Sequence, residues 1–310
     1  VYGDWLESQG DPRGELVAVQ ARLARDPGQP SLMAAQRQLF ARHGDMLLEG
    51  LHDYLEPGVN EDGSPHGPLL RLSWEFGFIW TAAITRDGHS RATYARGLAA
   101  LLAHPSATFL HACSFTTAAS TRNPPANDWE SVVGVITETA RPFQILFLGD
   151  AGPQPGFAPL GDVSALWPAL PRLRCLGLRG GVMTVGKLDL PSLRELTIET
   201  GALTRETLLE IGRRPWPGLE KLEVWFGDRR CTATLPDLGF LFDEGAPTKM
   251  PKLRHLGLRN CSFVDRVCAS LGRAPITKQL HVLDLSLGAL TERGMNELVS
   301  ARATFEHLAV

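Results

Sequence analysis

The second half of the chain repeats a short hydrophobic pattern, in which an apolar residue is followed by others three and five positions later. In four copies a proline stands two positions before the first of these residues. Alternate residues of a β-strand face the same side, so the pattern predicts short strands that bury one face. The copies with proline are Leu173/Leu176/Leu178, Leu193/Leu196/Ile198, Leu219/Leu222/Val224 and Leu253/Leu256/Leu258; those without are Phe143/Leu146/Leu148, Leu280/Leu283/Leu285 and Phe305/Leu308/Val310, and Ala107/Leu110/Ala112 fits weakly.

The segments between copies read as return helices. Thr204 and Thr291 each stand where a helix N-cap is expected, before apolar residues at helical spacing, and Phe263–Leu271 is a looser version. Successive copies start 20 to 36 residues apart. One such unit cannot bury its apolar face alone, so the units must stack with parallel strands. The pattern predicts an α/β solenoid with parallel strands on a concave face and helices on a convex face.

The segment Leu280–Leu298 resembles the ribonuclease-inhibitor subclass of leucine-rich repeats, and the resemblance covers roughly residues 140 to 310. That subclass places asparagine or cysteine after each strand, which here occurs only as Cys261. We therefore expect glycine to supply unusual backbone angles at these turns. The matching positions hold Ala151, Gly181, Gly201, Gly227 and Gly288.

The N-terminal part lacks the repeat pattern and predicts three helices, at Tyr2–Gln9, Pro12–Arg25 and Ser31 to about Leu51. Gly10 is placed to end the first, and Asp11 followed by proline is typical of a helix start. The run from Val1 to Glu15, with Ala41-Arg42-His43-Gly44, resembles the repeat-companion domain found beside leucine-rich repeats in myxobacterial and planctomycete proteins. That family's Trp-x-x-Gly-Phe phrase is matched loosely by Trp74–Phe78.

Pro and Gly residues in Glu56–Pro68 indicate a linker. Two strands (Leu69–Trp74 and Phe78–Ile84) and a helix (Ser90–Ala103) should follow it and cap the array. The predicted domains are 1–55 (helical repeat-companion domain), 56–68 (linker), 69–140 (capping or atypical first repeats) and 141–310 (leucine-rich repeats). Because Val310 ends on a strand pattern, we expect a continuation of the chain.

Composition narrows the classes of function. The 31 basic and 34 acidic residues give a net charge of −3 without blocks of one sign, so nucleic acid is not expected as a partner. The apolar runs are too short to span a membrane. Five scattered cysteines favour a reducing compartment, and hence the cytoplasm.

No catalytic constellation is visible in the sequence. Gly181–Lys187 has the spacing of a phosphate-binding loop, but Leu188 replaces the magnesium-binding hydroxyl and Pro191 opposes the helix that should follow. His255, His281 and His307 fall in successive repeats without a common register, which favours surface roles over a metal site. We expect no enzyme activity, no cofactor and no metal.

The repeat register predicts which side chains face solvent from the strands. Trp225 has the make-up of a binding hot spot, unless the long insertion Cys231–Met250 folds back over its ring. That insertion and Gly149–Leu170 are further candidate contact loops. The predicted protein-binding residues of the concave face are Arg179, Glu195, Glu199, Lys221, Glu223, Trp225, His255, Arg259 and Asp284.

These observations predict a non-enzymatic scaffold that binds another protein through its concave face or its insertion loops. An alternative is a regulatory or sensor subunit, docked through its N-terminal helices to a protease, GTPase or defence effector. A third reading places a catalytic domain outside these 310 residues.

Overall fold

The computed structural model describes residues 2–59, 65–86, 91–117, 129–139, 143–150, 159–227 and 230–308. Two compact units, Val1–Ala118 and Ala119–Val310, each mix helices with strands, so the chain is an α/β protein. The α-helices are α1 Tyr2–Ser8, α2 Arg13–Leu23, α3 Pro30–Leu47, α4 His52–Leu55, α5 Arg91–Ala103, α6 Trp129–Thr139, α7 Arg205–Gly212, α8 Gly239–Phe242, α9 Ala246–Lys249, α10 Val264–Leu271, α11 Glu292–Ser300 and α12 Arg302–Phe305.

The strands are mostly parallel to their neighbours. None of the helices within the described ranges is long and apolar enough to cross a membrane. The strands are β1 Gly58–Val59, β2 Pro65–His66, β3 Leu70–Glu75, β4 Phe78–Arg86, β5 Ala112–Thr117, β6 Ile145–Asp150, β7 Gly161–Asp162, β8 Cys175–Gly180, β9 Met183–Thr184, β10 Glu195–Thr200, β11 Lys221–Trp225, β12 His255–Arg259 and β13 Val282–Asp284.

The three predicted N-terminal helices are confirmed as α1, α2 and α3. Gly10 follows α1 with a φ of 71°, a left-handed conformation that glycine adopts without steric cost. The Asp11 carboxylate accepts a hydrogen bond from the Arg13 backbone N–H at the start of α2. Leu16 and Leu39 then bury the facing sides of α2 and α3. Within the predicted linker, β1 and β2 form a short antiparallel pair.

A tight hairpin joins β3 and β4 and docks on α2. Phe76 and Gly77, the two residues of the turn, have φ values of 48° and 80°, as a two-residue turn between twisted strands requires. Gly77 N–H donates to the side chain of the buried Gln20 at 2.7 Å. The loosely matched Trp-x-x-Gly-Phe phrase therefore forms this docked turn.

Changing Gly77 to alanine should destabilise the first unit by about 2–4 kcal/mol. Its φ is 80°, and an added Cβ would lie 2.6 Å from the Arg13 carbonyl oxygen and 2.7 Å from Val17. Urea unfolding followed by circular dichroism measures the loss. Gly28 is a matched control, because its φ is 87° but nothing lies within 4 Å of an added Cβ. A loss no larger than that of Gly28→Ala would contradict the close approach of hairpin and helix.

The weak copy of the repeat pattern was predicted in the wrong register. β5 pairs in parallel with β4 and begins at Ala112, whereas Ala107 lies in a 3-10 helix. The buried residues with the correct spacing are Leu110, Cys113 and Phe115. Counting from Ala107 failed because a cysteine and a phenylalanine occupy positions where the other copies carry leucine, isoleucine or valine.

The second unit confirms six predicted strands. β6, β8, β10, β11, β12 and β13 are parallel neighbours in chain order. The register aligns the plus-three residues as one buried row and the plus-five residues as another. The first row is Leu146, Leu176, Leu196, Leu222, Leu256 and Leu283, and the second is Leu148, Leu178, Ile198, Val224 and Leu258. All are at most 2% exposed except Leu283, which is half-buried.

The recurring proline has a structural reason. In each of the four copies with proline, the backbone N–H of the first apolar residue donates to the carbonyl three positions earlier, as from Leu173 to Leu170 and from Leu193 to Leu190, both at 3.1 Å. This closes a β-turn whose second position holds the proline, and the fixed φ of proline suits that position. Leu280 makes the same bond to Thr277 without a proline. The turn thus aims each leucine into the core before the strand begins.

The return segments after three strands are the predicted helices α7, α10 and α11. The Thr204 hydroxyl caps α7 by accepting from Thr207 N–H, and the Thr291 hydroxyl caps α11 by accepting from Arg293 N–H. Glycine turns were predicted correctly only at Gly227, with a φ of 84°. The other left-handed residues in this unit's strand-end turns are Asn260 and Leu287, one position before the predicted sites. Ala151 lies outside the described residues.

The last predicted copy, Phe305/Leu308/Val310, is wrong. Arg302–Phe305 is helical, and Leu308 follows it in a turn. The Glu306 N–H donates to the Arg302 carbonyl oxygen four positions earlier, as in a helix, so this segment does not enter a strand. Val310 lies outside the described residues.

Candidate interaction surface

The solvent-facing positions of the six parallel strands form three rows across the sheet, called here the sheet face. The register pairs each solvent-facing residue of one strand with a solvent-facing residue of the next strand, so each row runs across the sheet. The first row is Ile145, Cys175, Glu195, Lys221, His255 and Val282. The second is Phe147, Gly177, Thr197, Glu223, Gly257 and Asp284. The third contains Gly149, Arg179 and Glu199, with Trp225 and Arg259 paired farther along.

Glu223 is the centre of this surface. Its Oε1 accepts hydrogen bonds from Trp225 Nε1 at 2.9 Å and from Arg259 Nη1 at 3.1 Å. Its Oε2 lies 3.1 Å from Lys221 Nζ and 3.9 Å from His255 Nε2. One carboxylate therefore holds cationic and aromatic side chains from two neighbouring strands in fixed positions.

Glu223 was predicted to be exposed to solvent, and this is wrong: it lies on the sheet face but is only 6% exposed. Its side chain lies across Gly257 of the neighbouring strand, where an added Cβ would come within 2.8 Å of Glu223 Cγ. Glycine thus leaves the space in which the carboxylate is covered by its donors. Phe147 lies over Gly177 in the same way, at 2.8 Å from the corresponding Cβ position.

Trp225 matches neither of the two alternatives considered for it. Its ring is half-buried, and the Arg259 guanidinium stacks over it at 4.3 Å from the centroid. The insertion Cys231–Met250 packs on α7 instead: Asp237 accepts from Arg205 at 2.8 Å. A Cβ at Gly212 of α7 would lie 2.6 Å from the Phe240 ring of the insertion. The tryptophan keeps an accessible part on the sheet face.

Two arginines link the strands through paired carboxylates. Arg179 contacts Asp150 at 3.3 Å and Glu199 at 3.2 Å. Arg259 contacts Asp284 at 3.3 Å in addition to Glu223. The sequence did not single out Asp150, because strand alternation places it with the inward-facing Leu146 and Leu148 of β6.

The remaining predicted residues are less constrained. Glu195 is exposed. His255 is half-buried, and its Nε2 is buried without a hydrogen-bond partner. Burial and the neighbouring Lys221 charge lower the pKa of His255, which favours the neutral ring at neutral pH. His281 and His307 are exposed and lie outside the strands, so the three histidines do not form a ladder.

The phosphate-loop spacing forms no such loop. Met183–Thr184 is a short strand that pairs with Gly161–Asp162, and no helix follows Lys187 before β10. Within the ranges that the structure describes, no three His, Cys, Asp or Glu side chains are grouped as metal ligands. The chemistry that this surface offers is therefore hydrogen bonding, ion pairing and aromatic contact.

Acid should destabilise the wild type more than a Glu223→Gln variant. Burial opposes ionisation of Glu223, but the hydrogen bonds from Trp225, Lys221 and Arg259 outweigh it and lower the pKa below its ordinary value of 4.5. A carboxylate with a lowered pKa stabilises the fold above the unfolded-state pKa, and the contribution is lost as pH falls through the folded pKa. Urea unfolding at pH 7 and at stepwise lower pH from about 4.5 downward measures it.

Glu199 provides the control with opposite sign. Burial, followed by the repulsion from Glu223 and Asp150, raises its pKa above 4.5 despite the attraction of Arg179 and Arg259. The contribution of Glu199 to the stability of the fold is present at low pH and is lost as pH rises through the raised pKa. Glu199→Gln should therefore gain relative to the wild type at neutral pH. If the free energy of unfolding of the two variants changed with pH in the same way, the lowered pKa of Glu223 and the raised pKa of Glu199 would be contradicted.

No protein-family model matches the chain, and no curated protein does so either. Among solved structures, the chain is similar to a Bacteroides fragilis protein determined as a structural-genomics target, with a TM-score of 0.61 and 22% sequence identity. The similarity covers 72% of this chain and 65% of that chain, so it spans less than two thirds of the other protein. At this identity the likeness shows the fold alone: the chain is a mixed α/β protein with a mostly parallel strand arrangement.

Proposed function

We propose that the chain is a leucine-rich-repeat solenoid that binds another protein through its sheet face. The observation that carries the proposal is the cluster around Glu223, in which one buried carboxylate positions Trp225, Arg259 and Lys221 on solvent-facing strand positions. The repeat spacing and the six parallel strands in chain order support the repeat class. The return helices would then form the convex side.

The physical advantage of this cluster is preorganisation. Binding costs free energy for each flexible side chain that becomes immobilised, on the order of 0.5–1.5 kcal/mol. Arg259 is already held by Glu223, Asp284 and the hydroxyl of Ser286, the last at 3.0 Å. Tryptophan and arginine are also the residue types most often responsible for binding energy at interfaces. We infer a surface built for recognition, with no catalytic step and no cofactor.

Removing the stacked pair tests the proposal. The tagged chain carrying Trp225→Ala and Arg259→Ala should lose at least about tenfold in affinity for a partner that co-purifies with the wild type. Arg213→Ala with Val299→Ala is the matched control, because both residues are exposed and lie outside the strands. Affinity of each variant for the purified partner is measured by titration calorimetry. Equal affinity of all three proteins would contradict the proposal.

A second candidate, regulation of an enzyme docked on the first unit, is favoured by exposed aromatic rings there. Tyr2, Trp5 and Phe109 are 52%, 54% and 49% exposed. The Tyr2 ring stacks on Trp5 at 5.8 Å and meets Phe109 edge-on at 6.4 Å. Contiguous exposed aromatic surface is typical of contact sites. Loss of partner binding in Tyr2→Ser/Trp5→Ser, but not in Trp225→Ala/Arg259→Ala, would favour this candidate.

We also infer a reducing compartment such as the cytoplasm. The cysteines Cys113, Cys175, Cys231, Cys261 and Cys268 are all free. Burial raises the pKa of Cys261 to about 12 and of Cys268 to about 11, so both remain unreactive thiols.

A further inference from the structure

The charges of the sheet face indicate the chemistry of its partner. Among the described residues, five carboxylates occupy its positions or pair with them, against three permanent cations, an excess of two carboxylates at these positions; the lowered pKa of His255 favours its neutral ring. The carboxylates are Asp150, Glu195, Glu199, Glu223 and Asp284, and the cations are Arg179, Lys221 and Arg259.

Each of the three cations already contacts at least one carboxylate. Arg179 is shared between Asp150 and Glu199, and Lys221 contacts Glu223. Arg259 is shared between Glu223 and Asp284. An incoming carboxylate would compete with two resident ones at each arginine. An incoming cation at Glu195 would displace no ion pair found among the described residues.

One carboxylate of the sheet face differs from the cations in this respect. Glu195 is exposed, and no ion pair is found for it among the described residues. Glu199 is half-buried and has a raised pKa, because burial and the nearby Glu223 and Asp150 oppose its ionisation. A cation placed beside Glu199 would relieve that repulsion. The β10 strand therefore presents two carboxylates whose ionised form a positive ligand stabilises.

We propose that the partner binds the sheet face with a basic segment, whose lysine or arginine side chains contact Glu195 and Glu199 and continue along the rows toward Trp225 and Asp284. This inference rests on the proposed function and names the chemical class of the partner. Six strands at about 4.8 Å spacing span roughly 24 Å, which an extended segment of about eight residues matches. The accessible part of the Trp225 ring adds a cation–π contact for an arginine.

The test uses the complete chain and fluorescein-labelled peptides of about ten residues. One peptide alternates arginine with serine, and the others replace arginine by glutamate or by glycine. Fluorescence anisotropy should show at least about tenfold tighter binding of the arginine peptide than of either other peptide. Binding should weaken as salt rises, because exposed ion pairs are screened. Equal binding of the three peptides would overturn the proposal.

Two variants with the same change in net charge separate a specific site from general attraction. Glu195→Gln/Glu199→Gln removes the two carboxylates of β10, whereas Glu244→Gln/Glu306→Gln removes two exposed carboxylates away from the strands. The first should weaken arginine-peptide binding about tenfold and the second should leave it within about twofold; circular dichroism verifies that both fold. Equal weakening by both variants overturns the proposal. If the natural partner's binding still depends on Trp225 and Arg259 while the peptide does not bind, the basic-segment inference fails and the proposed function stands.

Discussion

Replacing Glu223 by alanine should lower the free energy of unfolding of the second unit by about 2–4 kcal/mol. The change leaves Trp225 Nε1, Arg259 Nη1 and Lys221 Nζ without their shared acceptor. Breaking a fully buried pair costs about 3–5 kcal/mol, and partial exposure of the donors reduces that cost. The Arg259 and Lys221 side chains are 25% and 33% exposed, so water recovers part of the loss.

Urea unfolding at neutral pH measures this change, with Glu195→Ala as the control. Glu195 occupies the same sheet face but is exposed, so Glu195→Ala should change the free energy of unfolding by no more than about 0.5 kcal/mol. Glu223→Gln should fall between wild type and alanine, because an amide oxygen still accepts from Trp225. A Glu223→Ala variant as stable as Glu195→Ala would mean that the cluster does not organise the surface.

Replacing Leu222 by alanine should lower the free energy of unfolding by about 2–5 kcal/mol. Leu222 is 0% exposed and is aligned between Leu196 and Leu256 in the row of plus-three residues. Removing its branched end leaves a cavity that neighbouring strands cannot fill, since the sheet hydrogen bonds hold their spacing. The result should appear as a lower urea midpoint with an unchanged slope.

Leu287→Ala is the matched control for that prediction. Leu287 is the same residue type in the same unit but is 61% exposed, so Leu287→Ala should change the free energy of unfolding by no more than about 0.5 kcal/mol. Leu287 also has a φ of 63°, and alanine meets the same backbone restriction. Similar losses at both positions would contradict the assignment of Leu222 to the core row.

The buried rows could be predicted from the sequence because they depend only on spacing. A period of two identifies which residues share a face, and a proline two positions before a leucine marks the turn. The pattern fails where helix and strand compete for the same residues. Phe305 and Leu308 have the strand spacing, yet Arg302–Phe305 is helical. Spacing alone does not reveal which hydrogen bonds the backbone makes.

The details of the site could not be predicted in the same way. The alternation of side chains along the strand places Glu223 on the sheet face, but its burial depends on Gly257 of the next strand, 34 positions later in the chain. Similarly, the Trp225 ring was expected either to be exposed or to be covered by the insertion Cys231–Met250, whereas the Arg259 guanidinium stacks over it. Burial of a surface residue depends on neighbours across strands, and a linear pattern contains no information on their side-chain directions.

Site-specific photo-crosslinking of the purified partner complex measures whether the partner lies on the sheet face. A photoreactive amino acid replaces Thr197, a half-exposed residue in the middle row of the sheet face, or Glu206, an exposed residue of α7. We expect a discrete crosslinked product from position 197 that is lost with Trp225→Ala/Arg259→Ala, and none from position 206. Crosslinking from position 206 alone, or from neither position while the complex remains intact, would contradict the assignment of the sheet face as the binding surface.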